Sequence, residues 1–71
     1  YGIIQANGLI TVRNTESLQS IELVSVDGKR AANVAVAGGS TSISTDGLAS
    51  GIYVLNLIGN DKLQSMKLFI D

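Results

Sequence analysis

At 71 residues the chain has room for one domain, and folding at this size buries only about 60% of the surface that the unfolded form exposes. A hydrophobic share of 45% against 15% charged residues excludes a disordered linker, and a net charge of −1 from scattered side chains excludes the concentrated basic face that nucleic acid requires. Cysteine and histidine are both absent, which removes disulfides, thiolate metal sites and the usual general base, while leaving the redox compartment open.

Turn signals then divide the chain into seven runs of strand length. Tyr1 reads as a cut point within a longer protein. Gly2 to Ala6 and Leu9 to Asn14 flank Asn7-Gly8, a pair suited to a two-residue type I′ hairpin turn. Ser20 to Val26 follows, with Ile21 and Leu23 alternating against Ser20 and Glu22; Val24 and Val26 break that parity and predict a bulge or sharp twist before Asp27-Gly28. Arg30 to Ala37 carries the period-two pair Val34 and Val36, and Gly38-Gly39 separates it from Thr41 to Thr45. Asp46-Gly47 precedes Gly51 to Ile58, and Gly59-Asn60-Asp61 precedes the last strand, Lys62 to Ile70. All five turn sites read as hairpin signals. The run Ile52 to Ile58 is apolar at nearly every position, which predicts a central strand covered on both faces or adjoining a partner domain.

These patterns predict an all-β domain, an immunoglobulin-like antiparallel β-sandwich of about seven strands. Its expected core is Ile10, Val12, Ile21, Leu23, Val34, Ile43, Tyr53, Leu55, Met66 and Leu68. In Leu48-Ala49-Ser50-Gly51-Ile52-Tyr53 a turn leads into a strand that opens on a tyrosine, the pattern of a tyrosine corner. Tyr53, with Gly28 and Gly51 at the turns, therefore reads as structural.

No catalytic constellation emerges. Ser50 stands near two glycines but lacks nucleophile-elbow spacing and any base to activate it, and Gly38-Gly39-Ser40-Thr41 lacks the lysine and following helix of a phosphate cradle. Asp27, Asp46 and Asp61 each sit alone in a turn, so no calcium site is expected and each carboxylate is expected to stabilise its own turn. The expectation is a non-enzyme without cofactor or metal. No apolar run approaches the roughly 18 residues needed to cross a bilayer, and the start of the chain carries no basic-then-apolar signal pattern.

One combination of segments is more specific. The strand and turn Ile21-Glu22-Leu23-Val24-Ser25-Val26-Asp27-Gly28-Lys29, then Leu48-Ala49-Ser50-Gly51-Ile52-Tyr53-Val54-Leu55, then Met66-Lys67-Leu68-Phe69-Ile70, resemble in order and spacing the type A C-terminal sorting domain of the type IX secretion system. The resemblance covers about residues 10 to 71. It departs from the family in lacking a proline-containing segment before the first strand and in having Asp71 where a basic residue is frequent. It implies a seven-stranded sandwich that serves as an export address, borne by an upstream cargo domain. The implied partners are the outer-membrane secretion machinery and a sortase-like protease, and the implied location is the periplasm in transit, then the outer-membrane surface or the extracellular space. Carried over by position, Lys29, Gly51, Tyr53, Lys67 and Ile70 are signature residues, with Lys29, Lys67, Leu68 and Ile70 the expected recognition set. The alternative is a structural or adhesive accessory domain of a surface protein or glycan-active enzyme.

Overall fold

Apolar side chains repeating at period two favour strands that each turn one face to a shared dry interior. In the computed structural model, which describes residues 2–36, 38–61 and 63–71, the chain forms β1 (Gly2–Ala6), β2 (Leu9–Arg13), β3 (Leu18–Ser25), β4 (Arg30–Ala35), β5 (Ser40–Ser44), β6 (Gly51–Gly59) and β7 (Leu63–Ile70). The expected cut point Tyr1, the strand end Ala37 and the strand start Lys62 lie outside the described residues. All pairings are antiparallel and build two sheets, β1-β2-β5 and β4-β3-β6-β7. In the constant-type immunoglobulin arrangement the fourth strand joins the first sheet; here the short turn after β3 returns β4 beside it.

Three of the five turn sites close hairpins and two do not. Asn7 (φ 55°) and Gly8 (φ 74°) both take positive φ, as a type I′ turn demands. Asp27 keeps negative φ and only Gly28 is positive, at 92°. The Gly28 amide donates to Ser25 O at 2.9 Å and the Ser25 amide to Lys29 O at 2.8 Å, the longer loop that ends in a glycine bulge. Gly38-Gly39 and Asp46-Gly47 lie on the connections that cross between sheets, because β4 and β5, and β5 and β6, belong to different layers. Hairpin and crossover turns share the same glycine chemistry, so composition does not separate them.

The core comprises Ile10, Val12, Leu18, Ile21, Leu23, Ile43, Tyr53, Leu55, Leu57 and Ile70, with Val34, Met66 and Leu68 partly buried against it. Leu18 escapes the period-two pattern because the β3–β6 register shifts between Leu18 and Ser20, so Leu18 and Ile21 both face inward. A second irregularity lies opposite Leu23 and Val24, but its extra residue is Ala31 of β4, between Ala32 and Arg30; β3 itself keeps its alternation, and Val24 faces outward instead of marking a bulge. Thr15 is fully buried, and its hydroxyl donates to the Gly38 carbonyl at 2.8 Å while its amide donates to Gly39 O at 3.1 Å. That pair of bonds ties the β4–β5 crossover to the loop after β2.

The two flanks of the sandwich differ. Backbones of β4 and β5 approach one another on one side, whereas on the other no Cα of β1 comes within 8 Å of one in β7. Across that second flank Gln5 Nε2 donates to the Phe69 carbonyl at 2.7 Å.

Candidate recognition surface

Register places the side chains of the outer face of the four-stranded sheet in rows. Phe69 lies opposite Ile52; the next row runs Lys67, Val54, Val24, Arg30; then Ser65, Asn56, Glu22, Asn33; then Leu63, Ile58, Ser20, Ala35. Among the described residues, the strand expected to be covered on both faces or to adjoin a partner domain is covered on one. Ile52 is 48% exposed, Phe69 59% and Leu63 70%, because no element of the described residues packs over this side. Val26 stands exposed at the tip of the neighbouring turn.

A polar row crosses this apolar face. Ser65 Oγ donates to Asn56 Oδ1 at 2.6 Å, Asn56 Nδ2 donates to Glu22 Oε1 at 3.2 Å, and Arg30 Nε donates to Glu22 Oε2 at 2.7 Å. The amide of Asn56 first, and then Arg30 and Asn33, favour the charged form and hold the Glu22 carboxyl below its ordinary value. The interruption of the apolar run by Asn56 was the sequence signal for this row; its partners on three other strands were not legible without register. Asp27 behaves similarly on a smaller scale, its carboxyl lowered by the Ser25 hydroxyl and by backbone amides of its own turn.

The residues singled out in the sequence fall in different places. Lys67 and Lys29 are exposed, Lys67 on edge strand β7 and Lys29 just before β4 at the opposite edge of the same sheet. Leu68 is half-buried on the inner side of β7, and Ile70 is buried in the core. Tyr53 is buried, and its hydroxyl donates to the Ala49 carbonyl at 2.7 Å, which pins the β5–β6 crossover to the start of β6. Gly51 takes φ 148°, where an L side chain is strained, and Gly28 ends the β3–β4 loop. Ser50 is exposed on the crossover, and Gly38 and Gly39 direct their carbonyls to Thr15. Among the described residues no group of three or more acidic side chains could hold a metal ion, and no helix is long and apolar enough to cross a membrane.

Among the described residues the molecule offers the solvent a sheet face and strand edges, and its fold is that of an all-β sandwich module. Residues 6–71 match the family described as secretion system C-terminal sorting domain, and the chain belongs to that family, the sorting domains of type IX secretion. It is accordingly a C-terminal sorting signal, from a non-catalytic family whose role is export to the cell surface or extracellular space, and the accessory-domain alternative is not favoured. No curated protein and no solved structure matches the chain.

Proposed function

We propose that this chain is the single C-terminal domain of a longer exported protein, that it follows its cargo through the periplasm, and that the outer-membrane machinery reads it through β7. The family match over residues 6–71 carries this reading. Lys67 supports it locally, since it stands exposed on an edge strand whose outer neighbours Leu63 and Phe69 are apolar and exposed. Lys29 adds a cation at the far edge of the sheet. Leu68 and Ile70 act from the inner side, where their packing holds β7 in register for recognition. A sortase-like protease then cuts between cargo and domain.

The test is a fusion of residues 1–71 to the C-terminus of a reporter targeted to the periplasm of a host with type IX secretion. The reporter is expected at the surface or in the medium, and in the periplasm of a secretion-deficient strain. Lys67→Ala should lower export while changing stability by no more than about 0.5 kcal/mol, because the side chain is exposed. A folded fusion that stays in the periplasm of the competent strain overturns the reading.

A further inference from the structure

β7 is an edge strand, paired with β6 over its length, and among the described residues no strand pairs with its other side. The groups it offers there can be identified. Successive residues of a strand direct their N–H and C=O groups to opposite sides. The Phe69 carbonyl accepts a hydrogen bond from Gln5 of β1, so it points away from β6; Leu63, Ser65 and Lys67 share its parity and face the same way. Natural edges are commonly guarded by proline, bulges or several charges. The segment Leu63–Ile70 has no proline, no irregularity in its register with β6 and one charge, Lys67, which has no carboxylate partner among the described residues. The flank beside it is open, and Met66 and Leu68 on the inner side are only partly buried.

We propose that the free edge of β7 over residues 63–67 is a docking site for an extended strand of a partner protein, added as a fifth strand of the sheet. The edge selects that strand's chemistry: apolar β-branched side chains on the inner side, where they cover Met66 and Leu68, and a carboxylate on the outer side beside Lys67. Gln5 sets the end of the site by occupying the Phe69 carbonyl. A second copy of this chain fits less well. Registers that set Lys67 opposite Lys67 or Ser65 bring the two ammonium groups directly opposite or diagonal, where like charges repel, and the register centred on Ser65 sets each Lys67 across from Leu63 with no carboxylate to meet it. The proposal rests on the sorting reading only in naming the partner as a component of the export machinery.

The test uses isotope-labelled chain and the synthetic peptide acetyl-Thr-Val-Thr-Val-Glu-Val-Thr-Val-Thr-amide, with amide exchange read residue by residue. Exchange at Ser65 and Lys67 is expected to slow saturably by about tenfold or more, while Met66, which faces β6, changes little. Ser65→Pro and Lys67→Pro remove an edge-facing N–H and leave the β6 ladder intact, so each should abolish the response; Gln5→Ala should extend it to Phe69. Unchanged exchange at Ser65 and Lys67 under excess peptide overturns the proposal. So does a response centred on Ile52 and Val54, or protection that rises with the chain's own concentration without peptide. The titration of the unmodified chain decides the matter even where a proline variant does not fold. Export of the unmodified reporter fusion decides the sorting reading separately.

Discussion

Tyr53 and Thr15 carry polar tips into the core, and each resolves its burial by bonding to a crossover. Tyr53 donates to Ala49 O, and Thr15 to Gly38 O, so both connections between the sheets that follow β4 and β5 are fastened from inside. Tyr53→Phe should remove one hydrogen bond and cost about 0.5 to 1.5 kcal/mol, seen as a lower denaturant midpoint with an unchanged slope. Tyr53→Ala also leaves a cavity and should cost roughly 3 to 5 kcal/mol. A core of this size supplies about the same amount, so the expected circular-dichroism spectrum of that variant is that of a largely unfolded chain. The tyrosine was legible in the sequence because it opens a strand after a glycine turn. Thr15 was not, since it stands between Asn14 and Glu16 with no periodic neighbour, and only the approach of the Gly38-Gly39 crossover makes its burial tolerable.

At the level of strands, β3 and β6 are held in register by an apolar inner row and by the polar row on the outside. Glu22 anchors the latter, and its lowered pKa makes a prediction with a definite sign. A carboxyl whose folded value lies below its ordinary 4.5 contributes stability that is present above that value and is lost as pH falls through the folded one. Asp27, lowered from 3.8, acts in the same direction. The denaturation midpoint should therefore fall as the pH is lowered below 4.5, and Glu22→Gln should flatten that fall while keeping the amide bonds of the row partly in place. Equal pH dependence in the parent and the variant would contradict the role given to Glu22. The shift in β3 between Leu18 and Ser20 shows where alternation ceases to be a guide. Past an irregularity, inward and outward positions exchange, so Leu18 is buried three residues from Ile21.

For the molecule as a whole, β7, the strand proposed above for recognition, is also part of the fold. Removing residues 67–71 takes Ile70 from the core, Leu68 from its margin and the Phe69 carbonyl from Gln5. Truncation should therefore stop export and also abolish the cooperative unfolding transition, whereas Lys67→Ala should affect export alone. Calorimetry or denaturant titration of both variants separates the two effects. A truncated chain that unfolds with the parent's midpoint would show that β7 is dispensable for the fold.

The number of strands, most of their boundaries and seven of the ten buried core side chains, Ile10, Val12, Ile21, Leu23, Ile43, Tyr53 and Leu55, follow from period-two alternation and glycine turns, which depend only on neighbours along the chain. The family resemblance was equally legible, since it rests on the order of three local segments. Tertiary structure alone decided which glycine turns close hairpins and which cross between sheets, that the outer face of β6 stays uncovered, and that Gln5 spans the open flank to Phe69. Each of these depends on which strands become neighbours, and that choice is made by packing between residues as far apart as Gln5 and Phe69, where no local pattern reaches.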